Sequence, residues 1–333
     1  MKVVELREQF GLENLTLADR SEPTAEPGRI VLRMLAASPN YRDLLMVLGR
    51  YNPKQPLPLV PCSDGVGQVM ALGQGVERVK VGDRVAPIFA QSWISGSPTP
   101  ETLRSTLGGP LDGTLTEYLA LEESGVVQVP RHLSDEEAAT LPCAGLTAWN
   151  ALVTHGNVRP GETVLVQGTG GVSIFALQFA LLLGARVIVT SSSDEKLERA
   201  RALGAWETIN YRNVPDWGRE TWKLTGRGVD LVIEVGGAGT LAQSLAAVRP
   251  GGRISLIGML AGGMSEINII PILMRQIRVQ GVLVGHRESF EAMNRAIEVH
   301  RLRPAVSRVF PLDETRAALE HMAAGEHFGK IAI

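Results

Sequence analysis

The run Val164-Leu165-Val166-Gln167-Gly168-Thr169-Gly170-Gly171-Val172-Ser173 places strand-forming residues directly before a glycine-rich turn and a helix. That order suits a dinucleotide pyrophosphate. Glycines let the backbone come close to it, and a helix N-terminus offers unpaired amides and a partial positive charge. Gly168, Gly170, Gly171 and Val172 are the cofactor-binding candidates this implies. A lone G-x-G-x-x-G is common, and its third position here is Ser173, so helix and strand are expected to sit slightly further apart. A plain strand–turn–helix connection is the alternative. The second strand and helix that follow in Rossmann order favour the dinucleotide.

Cofactor choice is decided after that second strand. An NAD site places Asp or Glu there to hold the ribose 2′-hydroxyl, and such a carboxylate repels a 2′-phosphate. This chain has Thr190-Ser191-Ser192-Ser193-Asp194-Glu195-Lys196. Hydroxyls at Ser191 and Ser192 can donate to a phosphate, and Lys196 can add positive charge. Asp194 and Glu195 fall in a first helical turn, where they suit the helix dipole. Simple capping and turn chemistry is the other account of the serines. NADPH is the expected cofactor.

These residues need elements to hold them. From Ser134 onward, after a Ser-x-x-Glu capping box closed by Glu137, strands alternate with helices. The strands are expected at 163–167, 186–190, 231–234, 253–257 and 279–284. Helices are expected at 172–183, 194–203, 240–248, 288–300 and 313–323. Such alternation with Val/Ile-rich strands reads as a parallel sheet covered on both faces. The first 130 residues instead read as short strands between Gly and Pro, at 29–36, 66–71, 84–88 and 115–120, with a helix at 41–48. Residues 91–113, rich in Ser, Gly, Pro and Thr, read as a long surface loop of the kind often used as a lid.

Composition excludes several classes of function. With 333 residues, 44% hydrophobic and 20% charged, the chain is an ordinary globular protein long enough for two domains. A net charge of −2 gives no pull toward nucleic acid or anionic lipid. Two cysteines, Cys62 and Cys143, exclude a disulfide scaffold and fit a reducing compartment. Residues 1–7 lack a signal-peptide core, and no apolar run approaches the roughly 18 residues of a membrane span. A cytoplasmic enzyme acting on a small molecule is expected.

With the Rossmann unit placed, the whole chain resembles the medium-chain dehydrogenase/reductase superfamily. The motifs are Val81-Gly82-Asp83-Arg84-Val85, the glycine-rich turn, Val229-Asp230-Leu231-Val232-Ile233-Glu234-Val235-Gly236, Ile257-Gly258 and His327-Phe328-Gly329-Lys330-Ile331. The resemblance implies an α/β protein: a GroES-like β-rich catalytic domain over 1–146 and 287–333, and a doubly wound parallel-sheet Rossmann domain over 147–286. It also implies cofactor contacts at Thr147, beside the nicotinamide, at Lys196 and Tyr211, near the adenosine 2′-phosphate, and at Gly258 and Val284.

Zinc alcohol dehydrogenases of this superfamily use a Cys in a C-x-x-D helix start, a His in a G-H-E turn and a later Cys. Here the first position resembles Asn40 and the second Ser63, and only Cys143 remains. One thiolate cannot hold zinc alone. The clustered cysteines of a structural zinc lobe are missing, and Arg42 stands where those enzymes carry a proton-relay hydroxyl. No metal is expected, although a rearranged site using Cys62, Asp64 and Cys143 stays open.

The chain is therefore similar to the zinc-independent branch of quinone oxidoreductases and enoyl reductases. There Asn40 and Tyr51, eleven residues later, line the substrate cleft. The expected reaction is hydride transfer to a quinone or to the β-carbon of an α,β-unsaturated carbonyl. Asn40 and Tyr51 would stabilise the developing oxyanion, and Tyr51 or water would supply a proton. Plain readings of the two residues are an N-cap for Asn40 and helix-end packing for Tyr51. Alternative functions are a zinc-type alcohol dehydrogenase with an atypical site and a low-turnover NADPH-binding protein. The apolar strand at 279–284 needs a cover, and a homodimer is expected.

Overall fold

Val, Ile and Leu without polar alternation demand burial on both faces, and the central strands obtain it. In the computed structural model, which describes the whole chain from Met1 to Ile333, every residue of Thr163–Gln167 and Val229–Glu234 is buried. The chain forms two units, one from Met1–Leu146 with Val284–Ile333 and one from Thr147–Leu283.

The second unit holds a six-stranded, wholly parallel sheet. Its order is Glu207–Asn210, Arg186–Ser191, Thr163–Gln167, Val229–Glu234, Val248–Leu256 and Arg278–Gly281. In chain order that is 3-2-1-4-5-6, the doubly wound arrangement whose direction reverses between Thr163–Gln167 and Val229–Glu234. The helix Gly171–Leu182 follows the first strand, and its Ile174, Phe175, Leu177 and Phe179 are buried. Ser173 changes the expected strand–helix contact. Its hydroxyl donates to the Gln167 carbonyl at 2.6 Å, so the missing glycine is replaced by a tie between helix and strand.

The first unit is built on a five-stranded antiparallel sheet in the order Tyr118–Glu122, Arg29–Ala37, Gly65–Leu72, Arg84–Pro87 and Val126–Gln128. The end of the chain returns to it. Lys330–Ala332 pairs in parallel with Val306–Val309, and Ala37 and Ile333 exchange backbone hydrogen bonds at 2.7 and 2.8 Å. This brings Lys330 beside Pro39 and Asn40.

Several expectations shift. The strand expected at 115–120 runs from Tyr118 to Glu122, and the one at 279–284 from Arg278 to Gly281. Residues 91–113 are no free lid. They contain the helix Pro100–Leu103, bridges pair Ala90 with Thr106 and Leu107 with Leu111, and Trp93, Thr106 and Leu107 are buried. Much of what holds this segment is backbone carbonyl contact, which leaves no hydrophobic period to read. No helix is long and apolar enough to cross a membrane.

At the reversal point a polar cluster fixes the loops that follow the two central strands. Glu234 is fully buried. Its carboxylate accepts from Gln167 Nε2 (2.6 Å), Thr240 Oγ1 (2.6 Å), the amides of Gly236 and Gly237 (2.8 and 2.9 Å) and the Ser244 hydroxyl. Gln167 Oε1 accepts from the Val235 and Gly236 amides. Replacing the carboxylate strands these donors in a dry interior. Glu234→Leu is expected to cost about 3–5 kcal/mol and to lower the melting temperature by roughly 10 °C. A melting curve matching wild type would show that the cluster contributes little.

Candidate active site

The Asn40 site lies within the first unit. Asn40 precedes the helix Tyr41–Val47, and its backbone amide donates to Asp43 Oδ2 at 2.8 Å. Its side chain is 9% exposed and faces two partners. Oδ1 accepts from the Lys330 ammonium at 2.5 Å, and Nδ2 lies 3.4 Å from Ser63 Oγ. The Ser63 hydroxyl in turn donates to Asp64 Oδ1 at 2.7 Å, and the Cys143 amide donates to Asp64 Oδ2 at 2.9 Å. Lys330, Asn40, Ser63, Asp64 and the Cys143 backbone thus form one buried polar chain.

Backbone geometry positions it. Cys62 adopts φ +76°, a left-handed conformation unusual for a residue with a side chain. Gly113 packs so closely that an added Cβ would lie 2.0 Å from the Cys62 carbonyl oxygen. The turn is therefore held between fixed walls, and Ser63 and Asp64 emerge from it. Cys143 sits in a π-helical turn, Leu141–Gly145, a feature often found at functional sites.

Tyr51 is placed differently from Asn40. It is 43% exposed, and the Arg42 guanidinium lies 5.0 Å from its ring centroid and the same distance from that of Phe89. Arg42 also donates to the carbonyls of Leu107 and Gly109 at 2.8 and 3.0 Å and to Asp43 Oδ1 at 3.1 Å. Tyr51 and Asn40 are thus linked through Arg42 and Asp43.

Burial raises the Asp64 carboxyl to about 6, against an opposing pull from Lys330. Asp43 is raised by the same cause, partly offset by Arg42. Burial also pushes both thiols up, Cys62 and Cys143, which makes them poor thiolates at neutral pH.

The dinucleotide candidates gather in the second unit. Gly168 has φ +72°. The helix after Gly170 has no side-chain cap, so its first amides, including those of Gly171 and Val172, are available to an anion. Ser191 and Tyr211 are brought together, because the Tyr211 amide donates to the Ser191 carbonyl at 3.1 Å. The serines do part of the capping work as well. Ser193 Oγ caps the helix Asp194–Ala202 by accepting from the Lys196 amide, and Ser191 Oγ accepts from the Ser193 amide, both at 3.3 Å. Ser192 follows the strand end and is partly exposed. Gly258 presses against the Val235 carbonyl, where a Cβ would lie at 2.4 Å. Thr147 is buried in this unit, and Val284, also buried, belongs to the first. These residues fit a dinucleotide: uncapped amides and a tight glycine turn for the pyrophosphate, and hydroxyls without an acidic residue at the ribose position.

The groups around Asn40, as they are paired, do not fit a zinc ion. No cluster of three or more His, Cys, Asp or Glu is present that could hold a metal. Both Asp64 oxygens are already engaged, and an ammonium occupies the Asn40 oxygen.

Sequence reasoning missed Lys330, Gln167 and Glu234. Each carries a readable signal, being a polar residue at one end of a strand beside an apolar stretch.

Comparison with known proteins agrees with this architecture. Residues 26–131 match the alcohol dehydrogenase GroES-like domain, and residues 171–298 match the zinc-binding dehydrogenase family. A zinc-type alcohol dehydrogenase-like protein of Schizosaccharomyces pombe is 45% identical over 92% of this chain and 91% of its own length. A solved Sinorhizobium meliloti chain assigned as an alcohol dehydrogenase superposes with a TM-score of 0.94 at 44% identity, covering 100% of this chain and 98% of that one. Human quinone oxidoreductase is 27% identical over 98% of this chain and 94% of its own. The chain belongs to the medium-chain dehydrogenase/reductase superfamily and is an oxidoreductase.

The raised Asp64 carboxyl has a consequence for stability. Its folded value of about 6 exceeds the unfolded value near 3.9, so the fold holds its proton more tightly. Its favourable contribution is complete at about pH 4 and below, and is lost as pH rises through about 6. Asp64→Asn does not titrate. Between pH 4 and 8 the stability of the variant relative to wild type is expected to rise by up to about 3 kcal/mol, read from urea unfolding. A constant difference over that range would contradict the assigned shift.

Proposed function

We propose that this chain is an NADPH-dependent, metal-free reductase of quinones or of double bonds conjugated to a carbonyl. The observation that carries the reading is the Asn40 site, where an amide, a hydroxyl and a buried ammonium meet, the first two at positions that by resemblance correspond to zinc ligands of the alcohol dehydrogenases. Bound NADPH would supply the hydride. As negative charge develops on the substrate oxygen, Asn40 Nδ2, which faces Ser63 Oγ at 3.4 Å, is the donor proposed to receive it, and preorganised donors of this kind stabilise a transition state more than the ground state. Tyr51, exposed and steadied by Arg42, is the protein group suited to deliver the proton to the product, with water as its substitute. Asp64 accepts the Ser63 hydrogen and leaves the Ser63 lone pairs facing Asn40.

Ser191, Ser192, Lys196 and Tyr211 support the choice of NADPH, since no carboxylate ends the second strand to repel a 2′-phosphate. With a panel of enones and quinones, purified protein is expected to oxidise NADPH at least tenfold more efficiently than NADH and to keep its activity after strong chelation. One zinc per chain, lost together with alcohol oxidation, would establish the alcohol dehydrogenase reading instead.

The active form is proposed to be a homodimer. Arg278–Gly281 ends the sheet with one side unpaired, and Ile269, Ile270, Leu273 and Met274 beside it are 62–75% exposed. Pairing of this edge with its copy across a two-fold axis would cover both. Light scattering at micromolar concentration is expected to give about twice the 35.8 kDa chain mass, and a monomer mass would overturn the assignment.

A further inference from the structure

We infer that Lys330 is the cation built into this site, a positioning residue whose ammonium orients the Asn40 carboxamide and takes the electrostatic place of a metal. Its effect on turnover rests on the reductase reading above, but its geometry does not.

A carboxamide has two ends of opposite character, one acceptor and one pair of donors. Which end faces the substrate decides whether Asn40 can stabilise an oxyanion at all. An ammonium has only donors, so the Asn40 atom 2.5 Å from Lys330 Nζ must be the oxygen. The nitrogen is then forced toward Ser63, whose own hydrogen is committed to Asp64. Every link of the chain has one allowed direction, and the ammonium sets it.

Lys330 is itself held firmly. It is 5% exposed and lies at the start of Lys330–Ala332, a strand paired with Val306–Val309 and anchored just beyond its end, where Ile333 bonds to Ala37. A second donor of the same ammonium meets the Pro39 carbonyl at 2.7 Å. The neighbourhood contains two buried carboxylates, Asp43 and Asp64, and two cations, Arg42 and Lys330. Arg42 is spent on Asp43, with which it pairs at 3.1 Å. Lys330 is therefore the positive charge left to balance Asp64. A divalent ion taking the Asn40 oxygen as a ligand would have to displace the ammonium first.

The test combines a structural and a kinetic readout on Lys330→Met, Lys330→Arg, Asn40→Ala and the double variant Asn40→Ala/Lys330→Met. In wild type the two Asn40 Nδ2 protons should give a distinct, slowly exchanging pair of NMR resonances. Lys330→Met should shift and broaden them, and Lys330→Arg should retain most of the wild-type pattern. In kinetics with the best enone, Lys330→Met should lower kcat roughly tenfold to a hundredfold with NADPH affinity within about twofold. The same change made on the Asn40→Ala background should cost little more, because Lys330 acts through Asn40. Unmoved Asn40 resonances in Lys330→Met, or losses that multiply in the double variant, would overturn the inference. If Lys330→Met does not fold, the 15Nζ resonance of Lys330 in Asn40→Ala decides: a shift supports the contact and an unchanged signal refutes it. Should wild type reduce no enone or quinone, the reductase reading fails while the NMR arms still judge Lys330.

Discussion

A charge taken out of water must be met by an opposite charge or by hydrogen bonds to nearly every polar atom it carries. Around Asn40 this rule decides the arrangement of much of the first unit. Two buried carboxylates, a buried lysine and the half-buried Arg42 meet there, and each is answered within a few residues or across the whole chain. The ammonium of Lys330 comes from the last strand and Asn40 from the first helix start, so the contact closes the unit across 290 residues. The left-handed turn at Cys62, the close approach of Gly113 and the π-helical turn at Cys143 then become parts of one frame that holds Ser63 and Asp64 in reach.

The second unit answers the same rule with a different solution. A carboxylate without a cation, Glu234, is satisfied by side-chain donors and backbone amides at the reversal point of the sheet. The loop after Val229–Glu234 is thereby fixed, and the loop after Val248–Leu256 is tied to it, with the Ala261 amide donating to the Gly236 carbonyl at 2.7 Å. Both loops lie at the carboxyl ends of parallel strands, where ligands of open α/β sheets bind. Rigidity here serves position: the glycine turn and the uncapped helix meet an anion only if the neighbouring loops do not wander.

The sequence was most readable where burial is uniform. Thr163–Gln167 and Val229–Glu234 are buried on both faces, and their apolar centres, Val164 to Val166 and Leu231 to Ile233, set beside a glycine turn, made the Rossmann order legible. The short edge strand Glu207–Asn210 escaped notice because only Ile209 in it is fully buried. The same is true of residues 91–113, whose anchors are carbonyl oxygens accepting from Arg42 and not a hydrophobic stripe. Site chemistry divided likewise. Asn40 and Tyr51 entered as candidates through a resemblance to relatives, and the same resemblance places Asn40 and Ser63 where zinc enzymes carry ligands. The partners that orient Asn40 were not legible in this way. Nothing local to Gly329-Lys330-Ile331 says that its ammonium meets a residue 290 positions earlier, and only the return of the chain beside Ala37 creates the pair.

The central claim is that a lysine, and not a metal, supplies positive charge at this site. Diffraction from crystals grown with zinc present, with data collected on both sides of the zinc absorption edge, tests it most directly. The account predicts Lys330 Nζ in hydrogen-bond contact with Asn40 Oδ1 and no anomalous density beside Cys143. A strong zinc peak bounded by Cys143 and Asp64, with Lys330 turned away from Asn40, would contradict it.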